Sequence, residues 1–385
     1  MILTFRYRLL PTKRQHRALE SILESQRQLY NAGLEERIDA YRKAGISRSR
    51  LDQFKALTEW RQGDPEGSSL PVTLQRWTLN QLDLAYRAFF RRLQAGKKPG
   101  YPRFRGKRRF DTFGFLQFQG IRFDGDFIRF KGMPGALRVH LHRPLPMGSC
   151  IRCCVFRRDV KGWSTGFVVD VPEKPIRRGG RSVGVDLGVA TFAALSDGGF
   201  IPSLNAARRA QKRLRRAQRA LTRKNKGSGS RRKARVQVAR CHAAIARARA
   251  NYLHQASARL VRDYDVIAIE KLNVIAMAKG VLAKEVHDAS WKMFISMLRY
   301  KAECAGCRLI EVNPHDTSQD CSDCGRRVTK KLGDRLHECH HCGLTLDRDL
   351  NAARNILNRA GVGPGLHNVA SDGKRAGGNL CEIAL

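Results

Sequence analysis

The sequence predicts a multidomain chain in which a β-rich domain with a helical insertion precedes an α/β domain. Three observations lead there. Residues 111 to 171 hold short alternating runs (DTFGFLQF, IRFDGDFIRF, ALRVHLH, CIRCCVFRRD, GWSTGFVVDV) broken by Asp-Gly and Lys-Gly turns, the pattern of a small antiparallel barrel or sandwich. Residues 12–44 and 72–94 repeat apolar side chains at helical spacing. From residue 181 onward, apolar strand patterns alternate with helical ones.

In the first helix, Thr12 followed by Gln15 is a capping box, and Leu19, Ile22, Leu23 and Leu29 supply the apolar stripe. The second carries Leu74, Trp77, Leu82, Ala85, Phe89 and Leu93. Between 96 and 109, glycine and proline exclude regular helix. There Lys97, Lys98, Arg103 and Arg105 interleave with Tyr101 and Phe104, offering cations and aromatic faces to a nucleic acid.

At 181 the run SVGVDLGVATFAALSDGG reads as two strands joined at Leu187-Gly188. Residues 203–225 and 231–263 read as two Arg-rich helices separated by GSGS, with Arg208, Arg209, Arg215 and Arg216 placed to lie along phosphates. DVIAIE, residues 265–270, is apolar on both faces, as a central strand covered on two sides would be. A helix near 288–304, the strand CRLIEV, a cysteine-rich insert and a helix over 350–360 follow; residues 363–385 read as a flexible tail.

Lys and Arg number 73 against 34 acidic residues, a formal charge of +39 that repels itself unless a polyanion neutralises it. The basic residues run the whole length without a long apolar segment, which favours nucleic acid over a membrane surface. Arg6 and Arg8 interrupt the only apolar run near the start, so no secretory signal is read and a cytoplasmic location is expected. Eleven cysteines in such a protein point to thiols or metal ligands before disulfides.

The sharpest local pattern is Cys321-x-x-Cys324, fourteen residues, then Cys339-x-x-Cys342, each pair followed by a glycine. Two such knuckles suit tetrahedral thiolate coordination of Zn²⁺, and four thiolates leave no exchangeable position, so the ion is expected to be structural. His337, His340 and His341 stand beside the second pair as conceivable substitutes. Cys304-x-x-Cys307 has no second pair and reads as core or surface cysteine.

Asp186 interrupts an apolar strand, where an unpaired charge costs several kcal/mol and wants a metal or a cation. Glu270 ends another apolar strand, at the sheet edge where ligands collect. Asp347 and Asp349 precede the last helix, and either could be its N-cap. Three carboxylates so placed match an RNase H-like metal nuclease, whose hard oxygens select Mg²⁺ or Mn²⁺.

VGVDLGVATFAALSDG, VIAIEKLNV, VNPHDTSQDCSDCG and CHHCGLTLDRDLNAARNI, in this order and with YRLLPTKRQ, QLYNAGLEER and KKPGYPRFRG ahead of them, resemble the insertion-sequence-encoded TnpB nucleases, relatives of the type V CRISPR effectors. The resemblance covers roughly residues 1 to 360. It implies a wedge β-barrel domain over 1–10 and 96–178, a helical recognition domain over 11–95, and a RuvC-like nuclease domain over 179–317 and 346–362 that includes the basic hairpin 203–263. A zinc-ribbon insert over 318–345 is implied as well. It further implies a guide RNA derived from the transposon end, a target double-stranded DNA beside a short adjacent motif, and Asp186, Glu270 and Asp349 as the RuvC carboxylates. Asp349 is preferred to Asp347 because it directly precedes the Leu-Asn-Ala start of the helix. Asp316 departs from the family's frequent aromatic at that place, which touches local packing only. The competing readings are an RNA-guided DNA-binding protein that does not cut, and an RNase H-like transposase.

Overall fold

The computed structural model describes residues 1–177, 179–272, 290–330 and 334–362, and the tail read over 363–385 lies outside them. The chain divides into two compact units that meet between Pro172 and Glu173, each described here by itself.

The first unit begins with β1 (Ile2–Leu10), in which Phe5, Tyr7 and Leu9 turn inward while Arg6 and Arg8 stay exposed. The arginines that break the apolar run thus occupy the outer face of a strand of period two. Strands β2 (Thr112–Phe115), β3 (Ile121–Asp124), β4 (Phe127–Phe130), β5 (Leu137–His140), β6 (Cys150–Asp159) and β7 (Gly162–Asp170) complete a seven-stranded sheet in the order β2-β6-β7-β1-β5-β4-β3. Every neighbouring pair is antiparallel. The sheet curls into a nearly closed barrel, so that Phe115 of the edge strand β2 meets Phe130 of β4 edge-on at 5.3 Å.

Helix α1 (Lys13–Ala44) starts on Thr12 with both halves of the capping box formed and stops at Gly45, whose φ of 65° only glycine adopts freely. Its Leu19, Ile22 and Leu23 join the barrel core, while Tyr30 and Leu34 pack on Leu82 and Tyr86 of α3 (Val72–Gln94). Helix α2 (Arg50–Gly63) was not legible from apolar spacing, because it buries little besides Leu57 and Gln53. Polar contacts hold it: the Gln53 amide donates to Gly33 O at 2.8 Å and accepts from Arg37 at 2.8 Å.

The second unit is an α/β layer. Strands β8 (Ser182–Leu187), β9 (Thr191–Leu195), β10 (Phe200–Pro202), β11 (Val266–Glu270) and β12 (Arg308–Val312) form a sheet ordered β10-β9-β8-β11-β12. β8, β11 and β12 run parallel, and β9 and β10 return antiparallel. On one face lie α5 (Gly229–Asp263) and α6 (Trp291–Ala305), whose Leu253, Leu260, Trp291, Phe294 and Leu298 cluster with Val183, Val185, Ile267 and Ile269. On the other lies α7 (Arg348–Arg359), whose Ile356 clusters with Ala268 and Val312. Both faces of β11 are therefore covered, which is why its sequence is apolar throughout.

Helix α4 (Ala206–Thr222) packs on α5 through half-buried Leu214 and Leu221 and leaves Arg208, Arg209, Arg215 and Arg216 exposed. Between β12 and α7 a small hairpin, β13 (Leu336–Glu338) with β14 (Thr345–Asp347), carries the second cysteine pair. Among the described residues, no helix is long and apolar enough to cross a membrane.

The approach of α7 to β8 fixes the geometry of this unit. A Cβ at Gly184 would stand 2.0 Å from the Ala353 carbonyl oxygen and 2.8 Å from the Leu357 nitrogen, so helix backbone lies directly on strand backbone. Gly184→Ala should push the helix off the sheet and destabilise the chain by about 2–3 kcal/mol, visible as a lowered urea midpoint. A midpoint equal to that of the parent would contradict this contact.

Candidate functional site

Strand periodicity aims two of the three carboxylates. Val183 and Val185 face α5 and α6, so Gly184 and Asp186 face α7; Ile267 and Ile269 face α5 and α6, so Ala268 and Glu270 face α7. β8 and β11 are parallel with Val185 opposite Ile269, so Asp186 and Glu270 follow side by side at their C-terminal ends, at a strand spacing of about 4.8 Å.

The third comes from the helix. Ala353 rests on Gly184, and Asp349 is four residues earlier on the same helical face, about 6 Å along the axis. Asp186 lies two residues beyond Gly184, about 6.6 Å along the strand. The two steps match, and Asp349 Oδ2 lies 4.0 Å from where a side chain at Gly188 would begin.

Asp186, Glu270 and Asp349 are each partly exposed. Burial first, then the charges of Glu270 and Asp349, push the Asp186 carboxyl up to about 8. Burial also raises Glu270, against the Thr317 hydroxyl bonded to its Oε1 and the charge of Arg359. Arg335 stands 3.9 Å from Asp349. A pocket that resists negative charge in this way gains most when a divalent cation enters it.

Asp347 has another task. Its Oδ1 accepts from the backbone N–H groups of Asp349 at 2.8 Å and Leu350 at 3.2 Å, making it the N-cap of α7. The helix therefore starts at Arg348, two residues before the 350–360 span expected from the apolar stripe, and Asp349 sits inside its first turn and not ahead of it. The cap side chain, invisible to periodicity, sets the boundary.

The four cysteines converge. Cys321 and Cys342 sulfurs are 3.6 Å apart, Cys324 and Cys339 3.5 Å, and all four lie within 4.8 Å of one another. A ZnS₄ tetrahedron with bonds of about 2.3 Å has edges of about 3.8 Å. Gly325 and Gly343, at φ of 73° and 76°, bring each knuckle back on itself, their N–H groups donating to Cys321 O and Cys339 O. Among the described residues no other group of three or more His, Cys, Asp or Glu side chains comes together in this way. The neighbouring histidines turn elsewhere: His337 is buried against Lys330 and His341 lies 3.2 Å from Arg326.

The basic candidates lie in both units. Lys97, Lys98, Arg103 and Phe104 are exposed, while Tyr101 packs edge-on against Phe89 at 5.2 Å and shares a hydroxyl contact with Tyr86 at 3.0 Å. Arg105 is pinned by Asn31, which accepts from its N–H at 2.8 Å. Sequence reasoning missed the roles of Thr317, Arg335, Asn351 and Asn355, polar residues outside the apolar patterns it followed; only the HDTSQ run marked the first.

An RNase H-like sheet with carboxylates at its strand ends and a Cys₄ ribbon before the last helix, in a chain that also holds a β-barrel with inserted helices, is the architecture of the compact RuvC-type effectors. The chain belongs to the TnpB family of RNA-guided DNA endonucleases. It is 33% identical over 362 residues to a protein of Streptomyces pristinaespiralis named "Putative RNA-guided DNA endonuclease", covering 92% of this chain and 88% of that one. A relative of Escherichia coli (strain K12) with the same name and the suffix InsQ is 28% identical over 92% of this chain and 91% of its own. Family profiles match residues 1–45 ("Helix-turn-helix domain"), 166–280 ("Probable transposase") and 291–356 ("Cas12f1-like, TNB domain"). Residues 1–45 here form β1 and the single helix α1. The fold resembles that of a Cas12f1 chain in a complex with sgRNA and target DNA, with a TM-score of 0.61 at 13% identity over 92% of this chain and 84% of that one.

Asp347→Ala should remove two hydrogen bonds from the start of α7 and cost about 1 kcal/mol, whereas Asp347→Asn, an equally good cap, should cost a few tenths. Denaturation midpoints of the two variants measure the difference. Equal loss in both would mean that the charge of Asp347, not its capping oxygen, matters.

Proposed function

We propose that this chain is a transposon-encoded, RNA-guided DNA endonuclease that cuts phosphodiester bonds with Asp186, Glu270 and Asp349. The observation that carries the proposal is the projection of Asp186 and Glu270 from two adjacent strand ends toward α7, whose first turn carries Asp349, in a chain that matches named RNA-guided endonucleases over nine-tenths of its length. The guide is an RNA derived from the transposon end, and the target is duplex DNA beside a short motif.

The oxygen donor set fits Mg²⁺ or Mn²⁺. When bound, two such ions supply Lewis acidity to the attacking water and to the leaving 3′ oxygen. The protein's own contribution is placement. Asp186 and Glu270 are held by the β8 and β11 ladder, and Asp349 by the seating of α7 on Gly184. The exposed arginines of α4, with Lys97, Lys98 and Arg103 in the other unit, supply positive charge for phosphate backbones without reading sequence.

Cys321, Cys324, Cys339 and Cys342 hold one structural Zn²⁺, which folds the 318–345 insert. Cys339→Ser should purify with its zinc content reduced to near zero and with the ribbon backbone open to rapid hydrogen exchange. Full zinc content in that variant would remove the assignment.

Purified with its RNA and Mg²⁺, the chain should cut a duplex matched to the guide. Asp186→Ala should keep duplex binding and lose cutting by on the order of 10³-fold or more. Equal cutting by both would overturn the site, and strand joining without any RNA requirement would favour a transposase.

A further inference from the structure

Helix α7 carries a second stripe, turned away from β8. Asn351, Asn355 and Arg359 recur every four residues on one face, with Asn358 beside them. All four grip the chain around the first zinc cysteine, between Thr317 and Ser322. Asn351 donates to Asp320 O at 2.8 Å and accepts from the Ser322 N–H at 2.9 Å. Asn355 donates to Thr317 O at 2.8 Å and to Asp320 O at 2.7 Å. Asn358 donates to Ser322 O at 3.2 Å, and Arg359 pairs with Asp320 at 2.6 Å.

Asn351 is fully buried and Asn355 nearly so. Buried amides are costly unless satisfied, so both are committed to fixing this turn. What the turn delivers inward is Thr317, 4% exposed, whose hydroxyl reaches Glu270 Oε1. Pro314 O also lies 3.2 Å from that hydroxyl. A hydroxyl has one proton to give, and an ionised carboxylate is a stronger acceptor than an amide carbonyl. The Glu270 oxygen so occupied is fixed, and the other carboxylate oxygen is not engaged by this hydroxyl.

We infer that Thr317 is a positioning residue for Glu270: its hydroxyl locks one carboxylate oxygen so that the other is presented to the divalent ion, and Asn355 locks Thr317. The inference rests on the proposed role of Glu270 as an ion ligand. Groups that orient a ligating carboxylate typically govern affinity by 10- to 100-fold.

The test uses the full-length chain with its RNA and compares Thr317→Val, which keeps shape and loses the hydroxyl, with Thr317→Ser, which restores it. Mn²⁺ binding is measured directly by titration calorimetry, alongside zinc content, thermal melting and the Mn²⁺ dependence of cleavage. Thr317→Val should bind Mn²⁺ about tenfold more weakly, with zinc retained. Its half-saturating Mn²⁺ for cleavage should rise by the same factor while the rate at saturating Mn²⁺ recovers. Thr317→Ser should return both to within about twofold of the parent.

Parental Mn²⁺ affinity in Thr317→Val would overturn the inference, even with lowered melting, because a turn anchored only on Pro314 predicts that pattern. Equal weakening in Val and Ser variants would also overturn it. A parent chain that binds no Mn²⁺ would sink the Glu270 assignment and this inference with it, a result distinct from a parent that binds and a Thr317→Val variant that binds equally.

Discussion

Backbone contact between α7 and β8 at Gly184 is the constraint on which the second unit turns. A strand residue with any side chain would hold the helix off, and with it the acidic residue at its first turn. Seating the helix there costs the flexibility of a glycine in a strand and recovers a register in which one helical step of four residues equals one strand step of two. Burial first, and then the charges of Glu270 and Asp349, hold the Asp186 carboxyl well above the usual carboxylate range. A cation placed among these groups would favour their ionised form.

Two chemically distinct donor sets follow from residue type and placement. Four sulfurs within 4.8 Å of one another offer a soft, closed set suited to one tetrahedral ion. The carboxylates of Asp186, Glu270 and Asp349 are hard donors and remain partly exposed. The polar stripe of α7 stands between the two: the same turn that it clamps leads from Thr317, bonded to Glu270, to Cys321.

Much of this was legible in the residues. Alternation exposed the barrel strands, the Thr12 and Gln15 box marked α1, and continuous apolarity marked β11, because each signal comes from burial or capping that acts locally. The convergence of the four cysteines was also legible, from coordination geometry. Helix α2 was not, since polar contacts of Gln53 and Arg37 stabilise it in place of an apolar stripe. The start of α7 was legible in part: Asp347 stood as one of two candidate N-caps, and its side-chain oxygen sets a boundary that the apolar stripe placed two residues later. Thr317 and the asparagines escaped because apolar spacing does not mark a buried hydrogen-bond network, and the partners of the helical asparagines, the backbone of Thr317, Asp320 and Ser322, lie 29 to 38 residues earlier in the chain.

The ribbon hairpin runs straight into α7, with β14 ending at Asp347 and the helix beginning at Arg348. As the nascent chain leaves the ribosome, β8 and β11 with two of the acidic side chains emerge long before the helix that must close over them. A polypeptide halted before residue 349 already carries the basic helices and the barrel strands. Such a fragment carries basic surface that can associate with polyanions but lacks Asp349 and the helix that seats on β8.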